Sequence, residues 1–239
     1  MAISWPGGAD EHPQCVPMTR REQIIELLVF LALIVPSMAF SLFVQQSSGS
    51  FALLAVATIV RDLALIVLIL FFLWRNGEHD QRIGWTFSRG WWLDILLGLV
   101  LFFPLLVFSG LLAAALRALG FSSPTATPSF LMPHGTAQFV LAVVLVIVVA
   151  VAEETIFRGY LILRLNATLR NLGLATVLSA VIFSLGHGYE GSAGVITVGF
   201  IGLVYALIYV WRGTLIAPVT MHFLQDFLGI VLFPLLGQR

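Results

Sequence analysis

An all-α membrane protein, a polytopic bundle of about seven transmembrane helices, is the fold class this sequence predicts, on three observations. Of 239 residues, 59% are hydrophobic and 10% charged, with a mean hydropathy of +1.02; a soluble domain carries about a quarter charged residues. Apolar runs near the ~20 residues that span a bilayer core recur along the chain. Arginines punctuate alternate connections between those runs.

The first run, 24–44, follows Arg20 and Arg21. It exceeds the ~7–15-residue apolar core of a signal peptide, and the twin arginine lacks an export-signal continuation, so the pair reads as a topological anchor. Further runs cover 51–74, 91–116, 138–156, 174–185, 195–211 and 215–235. Seven spans result, or six if a short run is re-entrant, or eight if a long one is split. A tight turn is expected at 45–50 and a charged, solvated loop at 75–90. The segment 120–135 holds Pro124, Pro128 and Pro133 and cannot be regular helix. Pro36 and Pro104 fall inside spans, as kinks that neighbouring helices tolerate. Gly199, Gly202 and Ala206 form a small-residue stripe where another helix can approach closely. The chain divides into a polar tail (1–22), a first set of membrane helices (23–136) and a second (137–239), with no repeat and no soluble domain.

Orientation follows from charge. Arg20 and Arg21, then Arg75, Arg82 and Arg89, then Arg158, Arg164 and Arg170, then Arg212 fall on alternate connections, while 45–50, 120–135 and 188–194 carry no arginine. The positive-inside rule then puts the N-terminus in the cytoplasm; Arg239 breaks the pattern. Trp74, Trp91, Trp92 and Trp211 sit at run ends, as interfacial aromatics do.

Composition also excludes functions. Formal net charge is zero, so there is no electrostatic footprint for nucleic acid. The single cysteine, Cys15, allows neither an internal disulfide nor a cysteine-based metal motif. All 12 cationic side chains are arginine, a bias that points to a GC-rich, bacterial source and so to a bacterial plasma membrane.

Ionisable groups inside hydrocarbon cost ~3 kcal/mol or more each and demand an account. In the second span Arg61 adjoins Asp62; neighbouring helix positions point about 100° apart, so the two do not face each other well, and structural pairing is the plainer reading. Asp94, beside Trp91 and Trp92, reads as interfacial. The second half differs. Glu153, Glu154 and Arg158 form E-E-x-x-x-R, Phe183 and His187 form F-x-x-x-H, and His222 and Asp226 form H-x-x-x-D, each in an apolar helix. Glu154 and Arg158 share one face at i, i+4, as do His222 and Asp226. With the fourth helix running on to residue 169 and reversing at 170–173, Glu153 and His187 each lie ~25 Å from the turn; His222 and Asp226 lie ~14–20 Å past the reversal near Gly213. The spacing is consistent with one buried polar site built from three helices.

At these motifs the chain resembles the CAAX protease and bacteriocin-processing (CPBP) family of intramembrane proteases, which takes in Rce1-like CAAX-prenyl endopeptidases and bacterial abortive-infection proteins. The resemblance covers about 138–232, and its three motifs recur in order with 34 and 35 residues between Glu153, His187 and His222. It implies an endopeptidase core in 137–239, with Glu153 and His187 activating a water and His222 with residue 226 stabilising the oxyanion. Glu154 and Arg158 would support the site. Position 226 is often Asn in such enzymes; Asp226 here, able only to accept when ionised, is expected to orient His222. No metal or other cofactor is the favoured reading; zinc held by Glu153, His187, His222 and Asp226 is the alternative, although no H-E-x-x-H motif is present. Expected partners are membrane lipid and a peptide or membrane-protein substrate. A non-catalytic immunity or partner-binding protein and a transporter are the competing functions. The intact motif set argues against the first, and the lack of a second polar cluster mirroring these motifs in the first half argues against the second.

Overall fold

The computed structural model describes residues 18–40, 50–87, 90–124 and 131–237. Cys15, most of the 45–50 turn, Arg89, Pro128 and Arg239 lie outside them. The described chain is helical throughout: α1 (Arg20–Phe40), α2 (Phe51–Arg75), α3 (Trp91–Ala118), α4 (Gly135–Glu154), α5 (Ile162–Leu169), α6 (Leu172–Leu185), α7 (Gly191–Arg212), α8 (Ile216–Asp226) and α9 (Phe233–Gly237). A π-helical stretch, Thr155–Leu161, fuses α4 to α5, and a second, Phe227–Leu232, fuses α8 to α9. Six helical rods are long and apolar enough to cross a membrane, and α6 is a shorter apolar helix.

The surface is that of a protein solvated by lipid. Leu53, Val60, Val67 and Phe71 on α2, and Val100, Phe103, Val107 and Phe108 on α3, all face outward. An apolar face of that extent is the signature of a membrane-embedded surface. Helices satisfy their own backbone groups, the requirement hydrocarbon imposes. Inside, α2 packs on α4, α3 on α8, and α6 on α7, with α1 against α5 and α6. The small-residue stripe on α7 lets α6 come close. Gly199 lies against Ser184, and a Cβ on Gly202 would sit 2.9 Å from the Phe183 ring.

The fourth rod runs 35 residues, Gly135–Leu169, or ~52 Å. It reverses at Arg170, whose φ of 56° starts the turn into α6. By contrast, α6 has 14 residues, ~21 Å, too short for a ~30 Å hydrocarbon core. His187 therefore lies beyond the end of α6, at the N-cap of a short turn (Gly188–Glu190), and not within an apolar helix as the sequence suggested. Glycines on both sides, Gly186 and Gly188, account for the break.

One end of the bundle gathers the arginines. Arg20 Nη2 donates to the Thr168 carbonyl at 3.0 Å, and Arg212 Nε donates to Asp94 Oδ1 at 2.8 Å. Glu26, 3% exposed, ties four donors together: Tyr160 Oη at 2.7 Å, Arg164 Nε at 2.8 Å, Asn76 Nδ2 at 2.8 Å and Arg75 Nη2 at 3.1 Å. Arg164 also pairs with Glu78, which in turn holds Arg82. At the other end, Ser122 and Ser192 join the start of α7 to the segment after α3. The 75–90 connection is not simply solvated loop. Its Ile83 is fully buried against Gly159, where a Cβ would lie 2.6 Å from the Ile83 carbonyl oxygen. Trp85 Nε1 donates to Thr155 Oγ1 at 3.1 Å, and Leu215 N donates to the Gly84 carbonyl at 3.0 Å.

Candidate active site

Three helices deliver the motif residues to one place. Glu153 and Glu154 end the regular part of α4, and the π-helical stretch begins at the next residue. Asp226 likewise ends α8 just before the second π-helical stretch. A π turn shifts the side chains that follow it and is frequent at functional sites. Both breaks here fall directly after an acidic motif residue.

A cavity of about 330 Å³ is lined by Glu153, His187, His222 and Asp226, with Tyr189 and Phe183 beside them. His222 is 4% exposed, so it points into the bundle and not into lipid. Its Nε2 lies 3.5 Å from Asp226 Oδ2 and 3.8 Å from Glu153 Oε2. Its Nδ1 lies 2.8 Å from Glu154 Oε1. That same oxygen accepts from Arg158 Nη1 at 2.8 Å. A carboxylate oxygen already accepting from a guanidinium is an acceptor, so Nδ1 is the donor and Nε2 is left facing Glu153 and the cavity.

Asp226, expected to orient His222, lies on the Nε2 side of the ring, and a shorter contact comes from Glu154 at the opposite nitrogen. Glu154 and Arg158 are both fully buried. The guanidinium of Arg158 also stacks over Phe183, 4.3 Å from the ring centroid, and donates to the Gly202 carbonyl at 3.1 Å. Tyr205 covers the other side, with its ring 5.7 Å from that of His222. Glu153, one residue step round the helix, lines the cavity instead, and its Oε2 is buried with no hydrogen-bond partner. His187 sits under Phe183, 5.0 Å between ring centroids, with Nδ1 3.4 Å from the Phe183 carbonyl.

The sequence reading left Arg61 and Asp62 out of the site. They do pair with each other, Nε to Oδ1 at 2.8 Å, because the long arginine side chain folds back along the helix. Both also line the same cavity, and Arg61 Nη2 lies 3.9 Å from Glu153 Oε1. The depth arithmetic applied to the other spans would have found them: Arg61 precedes Arg75 by fourteen residues, ~21 Å from the arginine-rich end. A second cavity, of about 560 Å³, opens on the α3 and α7 side. His187, Tyr189, His222 and Asp226 line it too, so these four form a wall between the two spaces. Among the described residues, no three His, Cys, Asp or Glu side chains are placed to hold a metal ion.

Residues 135–228 match the model of the family described as type II CAAX prenyl endopeptidase Rce1-like, the resemblance the motifs carry. The matched segment begins with α4, spans all three motifs and ends just past Asp226. No curated protein and no solved structure is significantly similar to the chain. Six apolar rods, the buried acid–imidazole cluster and this match together describe a polytopic helical membrane protein in which residues 135–228 are similar to the Rce1-like family of type II CAAX prenyl endopeptidases.

Proposed function

We propose that the chain is an intramembrane endopeptidase that hydrolyses a peptide bond with water activated by Glu153 together with His187. The observation that carries this reading is the shared cavity. An acid with one oxygen lacking a hydrogen-bond partner, two imidazoles and a further acid line one cavity in an apolar bundle. Peptide hydrolysis inside a membrane needs a held water, a base for its proton and donors for the developing negative charge. The Glu153 carboxylate is the base for a water in the cavity it lines, and His187 helps hold that water.

His222 donates to the oxyanion through Nε2 as an imidazolium, because the proton on Nδ1 is already given to Glu154. Glu154 fixes the ring through Nδ1, and Arg158 fixes Glu154. Among apolar helices each such donor is worth more than it would be in solvent. Asp226, 3.5 Å from Nε2, limits ring rotation on the cavity side. The two cavities that meet at His187 and His222 give the substrate chain room on both sides of the bond to be cut. Their lining is mainly apolar, which suits a membrane-borne peptide or membrane-protein segment.

A metal-free mechanism is favoured over zinc. The four candidate ligands do not form a metal cage among the described residues, and the nearest cation to Glu153 Oε1 is the Arg61 guanidinium. Activity is expected to persist in strong chelator, and loss restored by zinc would reverse this choice. The arginine-rich end is assigned to the cytoplasm by the positive-inside rule, in a bacterial plasma membrane.

The proposal is tested in cells by comparing the membrane proteome made with the wild-type chain and with Glu153→Ala. New protein termini that appear only with the wild-type chain support it, and identical termini in the two would count against hydrolysis. The transporter alternative loses its footing from the placement of Arg61 and Asp62, which join the existing cavity and do not form a mirrored second site.

A further inference from the structure

The guanidinium within ion-pair reach of Glu153 comes from outside the segment that matches the Rce1-like family. Arg61 belongs to α2, which packs along α4. Mid-span, a guanidinium is expensive, by ~3 kcal/mol or more if unpaired. Asp62 alone would neutralise it on any face of the helix. Asp62, however, is buried and Arg61 about half exposed, and both side chains line the cavity. There both Nε and Nη2 of Arg61 lie 2.8 Å from Asp62 Oδ1, which fixes the guanidinium plane. Nη2 then stands 3.9 Å from Glu153 Oε1.

The charges at the site leave Arg61 this task. Four carboxyl groups gather here: Asp62, Glu153, Glu154 and Asp226. His222 approaches Glu153 from α8, on the other carboxyl oxygen. Arg158 is committed to Glu154. Arg61 is thus the guanidinium within ion-pair reach of Glu153 among the described residues. It stands beside Oε1, while Oε2, buried and without a hydrogen-bond partner, faces His222 Nε2 at 3.8 Å.

We infer that Arg61, held by Asp62, is the positioning residue for Glu153: it supplies the counter-charge and holds the carboxylate from the Oε1 side. This rests on the proposed role of Glu153 as the base. The first half of the chain thereby completes the site, and an isolated 135–228 segment lacks a part of it.

The test uses the full chain in lipid discs with an internally quenched apolar peptide as probe. Arg61→Ala is expected to lower kcat ~100-fold, the cost of a displaced reacting group, with KM unchanged. Arg61→Lys recovers part of the loss, as does added guanidinium ion with Arg61→Ala. Asp62→Asn falls between the wild type and Arg61→Ala. A wild-type kcat in Arg61→Ala, or an effect confined to KM, overturns the inference. A second readout needs no substrate. Thermal-unfolding shifts of Arg61→Ala and Glu153→Gln are expected to be non-additive in the double variant, because the two groups interact; additive shifts overturn the inference. Cleavage surviving in Glu153→Gln refutes the proposed base itself, so failure of one idea is distinguishable from failure of the other.

Discussion

His222 Nδ1 lies 2.8 Å from Glu154 Oε1, so the imidazole on α8 is held by the acid that looked from the sequence like a partner of Arg158 alone. One carboxylate oxygen thus couples α4 to α8 and aims Nε2 at Glu153. Glu154→Gln keeps the shape but removes the charge, leaving the fully buried Arg158 without its counter-ion. Breaking a buried pair from one side costs ~3–5 kcal/mol. The variant is expected to lose thermal stability in detergent and most of its peptidase activity. Wild-type stability would contradict the ion-pair account.

Asp226 is the residue where this chain departs from the amide often found at that position in related enzymes. Its Oδ2 sits 3.5 Å from His222 Nε2. Asp226→Asn preserves a polar group of the same shape and is expected to keep substantial activity. Asp226→Ala frees the ring on the cavity side and is expected to lose most of it. Equal loss in both variants would remove the positional role given to this side chain.

Gly202 illustrates how packing and the site share one position. A Cβ there would stand 2.9 Å from the Phe183 ring and 3.1 Å from Arg158 Nη2. Gly202→Ala is expected to cost ~1–3 kcal/mol through overpacking, read as a lowered unfolding temperature. Activity should fall with it, because Arg158 and Phe183 both bear on the site.

Glu26 anchors α1 to the remainder of the bundle through Tyr160, Arg164, Asn76 and Arg75. Glu26→Ala strands the buried Arg164 beside one remaining acid, Glu78. A loss of ~3 kcal/mol or more is expected in chemical or thermal unfolding. Trypsin sensitivity near the N-terminal helix should rise in parallel; unchanged protection would show that α1 is held by apolar contacts alone.

The spans were legible because hydrocarbon leaves so little freedom: apolar length and arginine placement outline α1, α2, α3 and α7 to within a few residues. The fourth apolar run ends near residue 156, yet the helix goes on to 169 as the depth arithmetic assumes, past Arg158 and Arg164. They continue the helix because Glu154 and Glu26 neutralise them inside it. His187 was placed in a helix because the motif spacing suits one, while Gly186 and Gly188 held the contrary signal. The gathering of Glu153, His187, His222 and Asp226 on one cavity follows from depth, which residue counting supplies. Which nitrogen of His222 meets which acid depends on helix rotation to a fraction of a turn, and no count of residues carries that. Arg61 and Asp62 were read as a self-contained pair because adjacency drew attention away from their depth.

The central claim is that Glu153 is the base for water in a cavity shared with His187 and His222. The most direct measurement is cleavage of a membrane peptide by purified protein in lipid discs, wild type beside Glu153→Gln, which retains shape and removes only the basic carboxylate. The account predicts cleavage by the wild type and a loss of at least ~100-fold in kcat for the variant, in the range that general-base catalysis contributes. A Glu153→Gln protein that cleaves at the wild-type rate would contradict it.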